Sequence, residues 1–220
     1  LACVRGERLI FKGLGFTLAP GGALLLTGRN GSGKSSLLRM LAGLLPPARG
    51  HLSQDGEDVA DDLAGYRASL HYQGHLDAVK PALTAAENLV AATTVLGGDN
   101  GATIDALARC GLTAVADFTG RLLSQCQKRR LALARLITTE RPLWLMDEPT
   151  AALDTEGRSL VEALIADHRA AGGAVVVSTH VELDVPGADG LNLDAFPGGR
   201  IDPLFGLDAV LGDAVSGEAS

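Results

Sequence analysis

Only three cysteines, Cys3, Cys110 and Cys126, occur among the 220 residues. Their number is odd and their spacings unrelated, which argues against a disulfide framework or a paired CxxC zinc site and fits a reducing compartment. Basic residues are also scarce: 19 Lys and Arg against 26 Asp and Glu leave a net charge of -7. Nucleic-acid surfaces need clustered cations, so no nucleic-acid partner is expected, and Lys128-Arg129-Arg130 stands as a local basic spot. No apolar run approaches the roughly 18 residues that a bilayer span needs, so any service to a membrane is given from outside it. Leu1-Ala2-Cys3-Val4-Arg5 does not open a secretory signal peptide. A chain that begins at Leu1 rather than Met is expected to lack a little of its natural N-terminus. Apolar residues, by contrast, make up 46% of the chain, enough for one substantial core in one domain with room for an inserted lobe.

The opening stretch alternates β-like runs, Leu9-Ile10-Phe11 and Phe16-Thr17-Leu18, with Gly and Pro turns, and reads as small strands and hairpins. Ala23-Leu24-Leu25-Leu26-Thr27 has the unbroken apolar character of a strand buried on both faces. A Gly-rich loop follows it, then a helical run from Ser35 to Leu44 that stops at Pro46-Pro47. From about 76 to 137 the chain is rich in Ala, Leu and Thr, with one strong loop signal at 97–101, and reads as a lobe of several helices. Buried-strand patterns return at Pro142 to Met146 and Ala174 to Val177, separated by a helical segment around Ser159 to Ala171. The sheet is therefore split in sequence. The expected fold is α/β over residues 1–205, with a mostly parallel sheet core, an N-terminal antiparallel β subdomain and an inserted helical subdomain. Beyond Pro186, Gly, Asp, Pro and Ala dominate, and a loose tail is expected, above all at 206–220.

Gly28-Arg29-Asn30-Gly31-Ser32-Gly33-Lys34-Ser35 matches G-x-x-x-x-G-K-[ST] between a buried strand and a helix, the context that gives the match its force. The glycines let backbone N–H groups converge on an anion, and the helix adds its positive end. Lys34 is placed to neutralise β and γ phosphates and Ser35 to ligate Mg²⁺. A second apolar strand ends in Asp147-Glu148, which offers Asp147 to the metal and Glu148 as the group that accepts a proton from water.

Leu123-Ser124-Gln125-Cys126-Gln127, followed by a basic helical run, resembles the LSGGQ signature of the ABC-type P-loop ATPases. In the same order, Ala151-Ala152-Leu153-Asp154 resembles that family's D-loop, and His180 after Val175-Val176-Val177 its switch histidine, which contacts the γ-phosphate. His75 takes the place of the Q-loop glutamine, with Gln73 two residues too early, and Arg5 that of the adenine-stacking aromatic. Gln125 and Cys126 depart from the family's two glycines. A side chain at a positive φ there costs about 1–2 kcal/mol, and the thiol would crowd a phosphate. Lys128-Arg129-Arg130 reads equally as a solvated helix face.

Within the family the resemblance is nearest to the ATP-binding subunits of haem exporters in cytochrome c maturation, through Leu37 to Leu44, Gly74 to Lys80, Leu133 to Leu136 and Arg141 to Leu145. It implies ATP and Mg²⁺ as cofactors, with Arg5, Gly28, Arg29, Asn30, Gly31, Ser32, Gly33, Lys34, Ser35, Ser36 and His75 on the nucleotide. Ser35 and Asp147 hold the metal, Glu148, His180 and Lys34 serve catalysis, and Ser124 and Gln127 reach the γ-phosphate of the opposite subunit. It further implies a homodimer closed by ATP, multispanning membrane subunits, and a peripheral place on the cytoplasmic face of a bacterial inner membrane. The alternatives are a transporter with another cargo, or an ATP-binding module impaired by the altered signature.

Overall fold

Residue parity along the apolar runs sorts the side chains onto the two faces of one sheet. In chain order the elements of this computed structural model, which describes residues 1–200, are β1 (Cys3–Arg5), β2 (Arg8–Phe11), β3 (Ala23–Thr27), α1 (Lys34–Leu41), β4 (Ser53–Gln54), β5 (Glu57–Asp58), α2 (Leu63–Ala68), β6 (Leu70–Gln73), α3 (Ala85–Leu96), α4 (Thr103–Arg109), α5 (Gln125–Ile137), β7 (Leu143–Asp147), α6 (Thr155–Ala170), β8 (Ala174–Ser178), β9 (Asp189–Asn192) and β10 (Gly199–Arg200). The central sheet runs β6-β7-β8-β3-β9, parallel throughout, and β1-β2-β10 form a separate antiparallel sheet. On one face of the central sheet, Leu24, Leu26, Leu145 and Val176 pack against Leu37, Leu38 and Met40 of α1. On the other, Ala23, Trp144, Met146, Val175 and Val177 pack against α3 to α6 through residues such as Leu89, Leu133 and Leu164. Each successive side chain of a strand points to the opposite face, so an unbroken apolar run serves two cores at once.

The helices between β6 and β7 form the inserted lobe. Thr84 caps α3 and Ser124 caps α5, each with a reciprocal bond to the residue three places on, Glu87 and Gln127. The lobe's helices begin at Ala85 rather than near 76, because the intervening stretch is a bonded loop.

Several expectations are corrected. Phe16-Thr17-Leu18 forms no strand; Phe16 and Leu18 instead pack against the core that α1 shares. The helix after the phosphate loop ends at Leu41, where Ala42 and Gly43 close it and Gly43 takes φ +67°. Looseness beyond Pro186 does not begin there: β9 pairs with β3, and β10 with β2. The edge strand β9 is mostly exposed, so its order comes from backbone bonding, which hydrophobic pattern does not register. The expected tail at 206–220 lies outside the described residues. Strand β6, the hairpin β4-β5 and the short helix α2 have no counterpart in the sequence reading.

Candidate functional site

Parallel order brings the ends of β3, β6, β7 and β8 to one edge of the sheet, where open α/β sheets place their ligands. The loop after β3 is the expected phosphate loop. Its conformation demands glycine at two points: Gly28 has φ +132° and Gly33 φ +109°, and a Cβ at Gly33 would lie 2.6 Å from Ile10 and 2.9 Å from Phe11. Lys34, only 7% exposed, donates to the carbonyls of Gly28 at 2.8 Å and Arg29 at 3.3 Å, folding back over the loop. Asp194, from the turn after β9, accepts from the Arg29 N–H at 3.0 and 3.3 Å and braces the loop from outside.

Asp147 is 2% exposed and accepts from Ser178 Oγ at 2.7 Å and Ser35 Oγ at 3.1 Å. Register explains this convergence, since Asp147 and Ser178 are partners across β7 and β8. Asp147 also shares the parity of Leu143 and Leu145, which places it on the α1 face. Glu148, next in the chain, has φ +53°, a conformation that costs a non-glycine residue about 1–2 kcal/mol. Its N–H is held by Ser178 through both the carbonyl and the hydroxyl, at 3.1 Å each. That turn swings the Glu148 side chain out of the sheet to meet His180 Nε2 at 3.0 Å.

A cleft of about 510 Å³ is lined by Arg8, Ile10, Asn30, Gly31, Gly33, Lys34, Ser35, Ser36, Glu148 and His180. The phosphate loop, both candidate acid-base groups and the Ser35 hydroxyl beside Asp147 are therefore together. Ser35 and Asp147 suit magnesium, an oxygen-seeking ion that commonly takes one or two protein ligands and completes its shell with water and phosphate oxygens. Among the described residues no cluster of three or more His, Cys, Asp or Glu could hold a metal without such help.

Other expected residues lie elsewhere. Arg5 is exposed at the end of β1 and does not line the cleft; its cross-strand partner Arg8 does. His75 is exposed on the loop after β6 and does not line it either. Ser124 and Gln127 likewise do not line the cleft of their own chain. Ser124 Oγ accepts from the Gln127 N–H at 3.2 Å, while Gln127 Oε1 accepts from the Ser124 N–H at 2.8 Å, so both side chains shape the helix start. Cys126 lies inside α5 and is not among the residues with positive φ, which removes the expected backbone strain: this signature begins a regular helix. The solvated-face reading of Lys128-Arg129-Arg130 also fails for two of the three. Arg129 is 3% exposed, and Arg130 reaches Asp154 at 3.4 Å and Glu156 at 3.3 Å. Asp194, Arg8 and Ser178 escaped sequence reading. Only the position of Ser178, two before His180, offered a signal, whereas Asp194 is brought near by a strand that the pattern concealed.

The model of the ABC transporter family matches residues 11–151. The chain is 54% identical over 200 residues to the cytochrome c biogenesis ATP-binding export protein CcmA of Paramagnetospirillum magneticum, covering 89% of this chain and 92% of that protein. It is 57% identical over 197 residues to the protein of the same name from Rhodospirillum rubrum, with 89% and 84% covered. Among solved structures, an ATP-binding cassette captured as a dimer in a post-hydrolysis state with ADP and Pi superposes with a TM-score of 0.70 at 26% identity, over 82% of this chain and 84% of that one.

Proposed function

This chain belongs to the ABC transporter family as an ATP-binding subunit with ATPase activity, and from that premise we propose that it hydrolyses Mg-ATP at the interface of a head-to-tail homodimer. The observation that carries the reading is the meeting of Ser35 Oγ and Asp147 Oδ1 at 3.1 Å beside a cleft that Lys34, Glu148 and His180 also face. Mg²⁺, when bound, neutralises charge across the β and γ phosphates; Ser35 and Asp147 are the residues that would hold it. Lys34 exchanges its carbonyl partners Gly28 and Arg29 for phosphate oxygens. Amides from Gly28 to Ser36, with the positive end of α1, take the remaining phosphate charge.

Glu148 accepts a proton from the attacking water. His180, already bonded to that carboxylate, orients it and reaches the γ-phosphate. Ser124 and Gln127 stand at the start of α5, whose free N–H groups and positive end are suited to a phosphate brought by a second copy. The names of the similar proteins support an ATP-binding subunit that serves export in cytochrome c biogenesis; from there we read its cargo as haem and its seat as a peripheral one on multispanning membrane subunits at the cytoplasmic face of a bacterial inner membrane. Among the described residues no helix is long and apolar enough to cross a membrane.

Glu148→Gln tests the chemistry. It is expected to keep Mg-ATP binding while lowering turnover by at least about 100-fold, the usual scale of a lost general base. Unchanged turnover overturns the role of Glu148. Co-purification from membranes, with identification of the multispanning partner, tests the cargo.

A further inference from the structure

We propose that Asp77 and Arg129 form a buried tie that makes the His75 loop one body with the signature helix α5, so that Asp77 is a positioning residue for ATP turnover. The inference rests on the dimeric ATPase reading given above and adds to it the device that relates two of its parts. Arg129 leaves α5 just after its first turn with its side chain 4% exposed, and its Nη1 stands 3.1 Å from Asp77 Oδ1. The contact is an ion pair rather than a well-directed hydrogen bond. The same nitrogen lies 3.4 Å from the Gly74 carbonyl. A guanidinium so buried is costly unless a carboxylate answers it, so the charge fixes where the loop must run.

The rest of the loop is bound to the same lobe. Arg135, also on α5, donates to the carbonyls of Asp77 at 2.6 Å and Ala78 at 3.1 Å. Ala78 sits at φ +51°, a strained position for a residue with a Cβ, and these bonds hold it. At the far end, Asn88 of α3 accepts from the Lys80 N–H at 2.7 Å and donates to the carbonyls of Lys80, Leu83 and Thr84. On the sheet side, by contrast, the Gln73 amide is 7% exposed, and neither its oxygen nor its nitrogen has a hydrogen-bond partner among the described residues. At Gln73-Gly74 the chain thus passes from β6, where Gln73 is in register with Met146 of β7 but its side-chain amide makes no hydrogen bond, to a lobe that holds it at several points. His75 lies within the held stretch and Ser124 caps the helix that holds it. A displacement of either is carried to the other, which links a subunit's own loop to the phosphate site it offers its partner.

The test compares the full chain with Asp77→Asn, Arg129→Gln, the double variant and Asp77→Glu. Each neutral single variant leaves one buried charge alone and is expected to lower thermal stability, whereas the double variant removes both charges at similar volume and is expected to recover it. If the tie positions the loop, the well-folded double variant still shows kcat lower by about tenfold with KM for Mg-ATP changed less than about twofold, and Asp77→Glu recovers part of kcat. Parent-like kcat in the double variant overturns the positioning role. Hydrogen exchange tests the tie by itself: amides of residues 75–79 are expected to exchange faster in the double variant than in the parent, and equal rates overturn it. Absence of turnover in the parent defeats the ATPase reading, and the positioning role with it, while the exchange rates still decide whether the tie exists.

Discussion

The cleft at the edge of the sheet and the signature end of the helical lobe place their functional groups by different means. In the cleft the backbone does the placing: Gly28 and Gly33 take conformations closed to other residues, and Glu148 is turned outward at φ +53° by its bonds to Ser178. In the lobe, side chains do it. Ser124 and Gln127 cap each other, Arg129 pairs with Asp77, and Arg130 spans to Asp154 and Glu156. Backbone placement tolerates almost no substitution at its key positions, whereas placement by side chains lets the neighbouring residues vary. That contrast explains why the phosphate loop keeps its full pattern while the signature carries Gln125 and Cys126: a regular helical turn asks nothing special of either position.

The contrast breaks first, if it is wrong, at Gly33. Alanine there must adopt φ +109° and push a methyl group to 2.6 Å from Ile10 and 2.9 Å from Phe11. The strained backbone alone costs about 1–3 kcal/mol. Because relieving these contacts must shift the phosphate loop itself, Gly33→Ala is expected to weaken Mg-ATP binding by at least about 100-fold, a loss of about 3 kcal/mol. Calorimetric titration of the folded variant measures it, and retained affinity shows that the loop can deform at Gly33 without losing its grip on phosphate.

Cys126→Gly probes the other side of the comparison with a smaller expected effect. Glycine in a helix costs up to about 1 kcal/mol, so the variant is expected to melt at a lower temperature, with turnover within about twofold of the parent because no backbone strain is relieved. A large gain in turnover shows instead that the thiol crowds the partner's phosphate, and the alternative of an impaired module returns with a steric cause.

What was legible in the sequence divides along the same line. Strand, phosphate loop and helix could be read from residues 23–44 because each step is local: an unbroken apolar run, glycines, then helical periodicity. Asp147, Glu148 and His180 could be read because each stands at or just beyond the end of a buried strand. The cross-strand hold of Ser178 on Asp147 and Glu148 was not legible, since it depends on register between segments about thirty residues apart. Nor was the brace of Asp194 on Arg29, which requires the largely exposed strand β9 to run beside β3. Arg129 misled for the opposite reason. In sequence it is one of three consecutive cations, and only the loop folded over it makes it buried.

The smallest expected effect concerns the seam where lobe and sheet meet. His71 on β6 is 5% exposed and its Nε2 donates to the Thr139 carbonyl at 2.9 Å, joining β6 to the chain just beyond α5. Nearby, His168 stacks on Trp144 with ring centroids 3.9 Å apart. Burial lowers the pKa of both histidines, and their bonds to backbone carbonyls only partly oppose it. A histidine whose folded pKa lies below its unfolded value favours the folded state fully above the unfolded pKa of about 6.5, and that contribution is lost as pH falls toward the folded value. Thermal stability is therefore expected to hold from pH 8 to about 7 and to decline below about 6.5, more steeply than in a His71→Asn, His168→Asn double variant. If parent and variant lose stability in parallel, the acid sensitivity belongs to the carboxylates and ion pairs of the lobe. The seam would then be no weaker than the two regions that it joins.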